Sequence, residues 1–246
     1  MKVNYVFATI LIMFFLLPNN AIQAQDEEPD SKISVSASMV SSYIWRGGLV
    51  SATPNIQPSV SMAMGDFSFG FLGSTDLAFN ADTAYKEIDF FVTYSTSGFS
   101  ATFYDYFWHP DAKYFNYKNE STGHVFELEF AYENEGIPFK ISTATMFYGD
   151  DKKHFYDNDE TDLNKSNFST YVELGYTFTL GNNSVYTFLG LSPFTGMYGN
   201  DFSVINLGFS ANRDIKITDK FTLPVFVTIA ANPQTEIAFF VFGFSL

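Results

Sequence analysis

The 246-residue chain carries 13 Lys and Arg against 27 Asp and Glu, a formal charge of −14, and it has no cysteine. That balance argues against a nucleic-acid partner, and zero Cys removes disulfides, thiolate metal sites and cysteine nucleophiles. Aromatic residues make up 19%, with 30 Phe and 15 Tyr, yet mean hydropathy is only +0.01, a pairing foreign to disordered chains and to helical membrane proteins.

Residues 1–24 read as a secretory signal peptide. Lys2 supplies the positive start, Val6 to Leu17 is an apolar run of 12 residues, Pro18 breaks it, and Ala24 is the expected residue to cut after. Such a run falls short of the roughly 20 residues that a spanning helix needs. Residues 25–31 form a short polar leader, and no apolar run of about 18 residues follows. Any membrane crossing must then be made by strands.

Residues 32–246 are dominated by period-two alternation, the mark of strands whose two faces meet different solvents. Ile33, Val35, Ala37, Met39, Tyr43 and Trp45 share one face of the first run, with Ser34, Ser36, Ser38 and Arg46 mostly on the other. Ile56, Val60, Met62 and Met64 then oppose Gln57, Ser59 and Ser61. Phe67, Phe69 and Phe71 oppose Ser68, Gly70 and Ser74, and Ile88, Phe90, Val92 and Tyr94 oppose Glu87 and Asp89. The fifth run begins Phe99, Ala101, Phe103, and its upper part, Tyr104 to Trp108, fits either face. Phe126, Leu128, Phe130 and Tyr132 face away from Glu127 and Glu129; Phe139, Ile141 and Phe147 from Lys140 and Ser142; Val172, Leu174 and Tyr176 from Glu173. Ser184 to Leu191 is a strand with no assignable face. Ile205, Leu207 and Phe209 oppose Asn206 and Ser210, Leu223 to Ile229 alternate with Thr222 and Thr228, and Phe240, Phe242, Phe244 and Leu246 close the chain.

These runs predict about twelve strands of the length that crosses a bilayer when tilted. Connections near Gly65-Asp66, Ser97-Gly98, 134–138, 181–183 and 219–220 are short. Those at 47–55, 77–84, 109–123, 149–167 and 193–201 are longer. The expectation is an all-β fold: a closed antiparallel transmembrane β-barrel with short periplasmic turns, longer extracellular loops and both termini in the periplasm. Closure is required because an open sheet edge in hydrocarbon costs several kcal/mol per unpaired group. Tyr43, Trp45, Tyr94, Tyr132 and Tyr176 suit the interfacial aromatic girdles.

Ser42 to Gly48 (SYIWRGG), with Pro54 and Gln57-Pro58, resembles the opening of the TorF-like porin family of bacterial outer-membrane barrels. Leu223-Pro224-Val225, Asn232-Pro233 and Phe239 to Phe244 are similar to that family's last hairpin. The resemblance implies a porin-like barrel and names no solute. The last strand, with Phe240, Phe242, Phe244 and Leu246 at alternate positions, also resembles the signal read by the outer-membrane assembly machinery, though it ends in Leu rather than Phe.

Three histidines bear on catalysis. His124, near Ser121 and Thr122, stands where a rim hydrolase would need its base, but a solvated rim His is the simpler reading; His109 and His154 fall in loops, and no Gly-x-Ser-x-Gly elbow occurs. The expectation is no enzyme activity, no cofactor and no metal. The acidic loop Asp150-Asp151 and 157–162 offers oxygen ligands for Ca²⁺ but lacks the spacing of an EF-hand, so a solvated loop is the simpler reading. Parity sends Arg46, Asp76, Glu87, Asp89, Glu127, Glu129, Lys140 and Glu173 to the lumen, since charges facing lipid cost up to a few kcal/mol near the midplane. Arg46 is placed near the external mouth, paired with acids. The functional expectation is passive diffusion of small hydrophilic solutes or ions, with modest cation preference, in the outer membrane of a Gram-negative bacterium. Its partners would be membrane lipids, periplasmic chaperones and the assembly machinery. The alternatives are a non-transporting barrel with a structural or surface role, whose lumen is plugged, and a barrel enzyme acting on lipids.

Overall fold

The computed structural model describes residues 31–78, 84–109, 111–134, 136–157 and 163–246. The expected signal peptide and leader residues 25–30 lie outside the described residues. The elements are β1 (Ser31–Val40), β2 (Tyr43–Trp45), β3 (Gly48–Ser51), β4 (Asn55–Met64), β5 (Phe67–Asp76), β6 (Lys86–Thr96), β7 (Phe99–Phe107), β8 (His124–Asn134), β9 (Ile137–Gly149), a one-turn helix α1 (His154–Asp157), β10 (Thr170–Leu180), β11 (Asn183–Ser192), β12 (Ser203–Lys216), β13 (Thr222–Asn232) and β14 (Ile237–Ser245). Twelve of the strands close into an antiparallel barrel in the order β1-β14-β13-β12-β11-β10-β9-β8-β7-β6-β5-β4, and β2-β3 form a separate two-stranded sheet. No helix among the described residues is long and apolar enough to cross a membrane.

The register realises the alternation. Phe69, Phe130, Leu174 and Leu207 point outward and stay 38–49% exposed, whereas Asp89 and Asn206 point inward at 4% and 8%. Ser68, Glu129 and Glu173 share the inner face. Because the side-chain period is two, a one-residue slip in any pair would turn charges outward and Phe inward, which fixes the register. The short turns follow the twist of the strands they join: Ser97 (φ 50°) and Gly98 (φ 85°) both take the left-handed conformation of a two-residue hairpin. Tyr94, Tyr132 and Tyr176 lie outward near the short-turn end, 37–39% exposed, where an interfacial girdle would stand.

The first run departs from expectation. It does not continue as one strand to Arg46: β1 stops at Val40, the chain bends at Ser41-Ser42, and β2-β3 fold into the lumen. Tyr43 and Trp45 therefore leave the outer girdle, and the segment 47–55, expected as an external loop, becomes an inward arm. Ile205, expected outside with Leu207, is fully buried. The pairing of β11 with β12 shifts between Gly190 and Leu191, and the extra residue turns Ile205 to the same side as Asn206. On β11, Tyr186, Phe188 and Gly190 prove to be the inward residues.

The barrel closes along a short seam. β14 pairs with β1 through Ser38–Ser245, Met39–Phe244 and Val40–Gly243, extended by backbone bonds between Ala37 and Leu246 and from Ser41 N to Phe242 O. Phe244 thus sits opposite Met39, while Val35 lies outside the β1–β14 pairing. Phe240 lies beyond the point where β1 has turned inward.

Candidate functional site

The inward arm is shaped by its turn. Trp45 pairs with Gly48, and between them Arg46 (φ 49°) and Gly47 (φ 81°) make a two-residue turn with both φ positive. The tip is anchored on β13, two strands from β1 around the barrel, where Asn232 Nδ2 donates to Gly47 O at 3.0 Å. A Cβ on Gly47 would lie 1.8 Å from the carbonyl oxygen of Ile205, so only Gly permits this approach.

The tip delivers Arg46 into an acidic and aromatic socket. Its Nη1 and Nη2 donate to Glu127 Oε2 and Oε1 at 2.6 and 2.9 Å, a two-pronged pair, and Nη2 reaches Glu129 Oε2 at 3.4 Å. Nη1 also donates to the Tyr198 hydroxyl. Tyr106 and Tyr198 donate to Glu127 at 2.9 and 2.8 Å. The guanidinium carbon stands 4.7, 4.9 and 5.1 Å from the ring centres of Trp45, Tyr171 and Tyr198. Trp45 itself packs against Tyr106, Trp108 and Tyr198. Arg46 and Glu127 side chains are 7% and 0% exposed. In such a setting the pair holds only because each lone pair and N–H has a partner, and removing one member would strand the other charge.

All eight charged residues predicted for the lumen project inward, but they separate into groups. Asp76 accepts from Ser51 of the arm at 2.9 Å. Glu87 is hydrogen-bonded to Tyr43, Tyr85 and Asp89, and Asp89 accepts from Phe107 N. Lys140 stands 3.9 Å from Glu173, whose two oxygens accept from Tyr171 and Tyr186 at 2.6 Å. Glu133, opposite Lys140 in the β8–β9 pairing, adds an inward acid that sequence reasoning omitted. So were Tyr106 and Tyr198, which join the socket. The alternation that reveals Glu127 also places Tyr106 inward once the β7–β8 register is known; Tyr198 is in a loop, where no periodicity could find it.

His124 is no solvated rim residue. It is fully buried, with Nδ1 2.6 Å from Asp105 Oδ1 and Nε2 2.5 Å from Tyr114 O, under the ring of Tyr117 at 4.1 Å. Both ring nitrogens are thus engaged with acceptors, so this base has no free nitrogen to present to a hydroxyl nucleophile. In the acidic loop, Asp151 accepts from Ser169 N and Oγ, which makes it a strut rather than an open ligand. Asp150 pairs with His109 at 2.8 Å, and this hydrogen bond raises the imidazole above its ordinary range against the opposing effect of burial. No cluster of three or more acidic, His or Cys residues suited to a metal occurs among the described residues. Residues 158–162 of that loop lie outside them.

No family model matches the chain, and no curated protein matches it. Among solved structures it is similar to a triple mutant of the Rhodobacter blastica porin, at 9% identity over 88% of this chain and 99% of that one, with a TM-score of 0.37. A double mutant of the same porin gives 9% identity, the same coverage and a TM-score of 0.36. The closed twelve-strand barrel stands on its own strand pairing. The TorF-like resemblance rests on its short motifs, and the first of them is the arm that carries Arg46.

Proposed function

We propose that the chain is a porin-like channel of a Gram-negative outer membrane, placed there after signal-peptide cleavage by periplasmic chaperones and the barrel-assembly machinery, and passing small hydrophilic solutes or ions by diffusion. The observation that carries this reading is the arm itself. One strand pair folds inside the barrel, and its charged tip is seated on Glu127 and Glu129 of the inner face and on Tyr198. Glu87, Asp89, Glu127, Glu129, Glu133 and Glu173 outnumber Arg46 and Lys140 along the inner face, and rings of acids favour cations. The His124–Asp105 pair, with both ring nitrogens engaged, offers no free base, and no catalytic step is assigned.

The burial of Arg46 and Glu127 favours a second reading, a barrel held closed by its arm and serving a structural or surface role. Planar-bilayer recordings separate the two. The channel reading expects discrete conductance and a cation-selective reversal potential under a KCl gradient, reduced in Glu129→Gln/Glu173→Gln. Anion selectivity would refute the charge argument. Silence in native protein and in an arm-displaced variant would leave the closed barrel.

A further inference from the structure

We propose that the Glu127 socket is a recognition site for a guanidinium-bearing solute, and that Arg46 occupies it as a tethered stand-in for that solute. The proposal rests on the channel reading and names the class of its cargo. Planar cations of this kind are recognised by a carboxylate that accepts two parallel N–H bonds and by aromatic faces that replace water around the charge. Both are present around Arg46. The carboxylates belong to β8, and Tyr106 and Tyr171 to β7 and β10; with Tyr198, all are supplied by the wall and its loops. Only Trp45 travels with Arg46.

Two further features fit exchange. The β2-β3 sheet is separate from the barrel sheet, so the tip can withdraw without breaking a barrel strand pair. Asn206, 8% exposed, adjoins the tip: a Cβ on Gly47 would lie 3.2 Å from its own Cβ, and its Oδ1 has no hydrogen-bond partner. Its Nδ2 is spent on Tyr171. An unused acceptor beside the socket is a place for an N–H that Arg46 does not bring. With the tip withdrawn, Glu127 and Glu129 face the lumen unpaired, so an anion would be repelled and a neutral isostere would leave the charges uncompensated. A solute that binds only the withdrawn state shifts the arm toward it by its differential affinity.

The chain's two tryptophans, Trp45 and Trp108, lie 6.0 Å apart at this site, so tryptophan fluorescence, excited selectively over the 15 tyrosines, reports on it. The full-length barrel in detergent micelles is titrated with millimolar methylguanidinium at constant ionic strength, with urea and acetate as the neutral and anionic controls. Arg46→Met should give a saturable fluorescence change, the native protein the same change only at ten-fold or higher concentration, and Arg46→Met/Glu127→Gln none. Urea and acetate should give no change. A flat response from a folded Arg46→Met variant, its fold checked by circular dichroism, would overturn the proposal, as would an equal response to urea. Should Arg46→Met fail to fold, the native titration decides: the proposal stands on a saturable change specific to methylguanidinium and falls without one. Conductance recorded in parallel keeps the two readings apart. Binding without conductance would remove the channel and keep the site, whereas conductance without binding would remove only the site.

Discussion

The lumen is built differently at its two ends. Toward the short turns, the inner wall of β1 and β4–β7 is lined by small hydroxyl residues that bond to the next strand: Ser36 to Ser59 at 2.7 Å and Thr93 to Thr102 at 2.9 Å. Across the barrel, Thr228 donates to Ser210 at 3.0 Å in the same way. Toward the long loops, the groups that meet are distant in the chain: Arg46 with Glu127 and Glu129, Tyr198 with Glu127, Asn232 with Gly47. The first region is made of neighbours that the strand ladder brings together whatever else happens. The second exists only because one arm folds inward, so it can be dismantled without opening the wall.

The largest effect should come from Gly47→Ala. Its Cβ would meet backbone rather than a yielding side chain, and the positive φ adds strain, so the tip should lose its seat against β12 and Arg46 should leave Glu127. The expected outcome is a higher single-channel conductance and tryptophans opened to aqueous quenchers, with sheet content unchanged. An unaltered conductance and quenching profile would mean that the arm seats without Gly47.

Glu127→Ala should be next. It strands the buried Arg46, and a broken buried pair costs about 3–5 kcal/mol, read as a lowered midpoint in denaturant unfolding from micelles. A loss below about 1 kcal/mol would show the socket to be as weakly coupled as an exposed ion pair. The smallest effect belongs to the hydroxyl wall: Ser59→Ala, which removes one partner of Ser36, should cost about 0.5–1.5 kcal/mol and leave ion selectivity as it was. Should it instead change the reversal potential, the division between the two regions would fail.

Strand number, the short turns and the inner-face acids were legible from alternation, because Phe69, Leu174, Glu129 and Glu173 are sorted by a period of two and a wall that is either inside or outside. The same logic misplaced Tyr43 and Trp45. Their spacing continues the phase of Met39, and nothing local distinguishes an outer strand from one that has turned through a bend at Ser41-Ser42. His124 was misread as solvated because Asp105, Tyr114 and Tyr117 come to it from another strand and a loop. Ile205 was misread because a one-residue register shift is invisible to a pattern that assumes none.

By itself, then, the sequence determined strands with one apolar face and one polar, acid-rich face, since a side-chain period of two sorts residues to opposite sides of a sheet. The tight turn at Arg46-Gly47, with both φ positive, was not read from the sequence, which kept Arg46 in the first strand and 47–55 as a loop. Where that turn points was decided only in three dimensions. Inward seating depends on Asn232, Ile205 and Glu127 converging on one spot from three strands, and that convergence is set by the circumference and stagger of the finished barrel, which no local stretch of chain encodes.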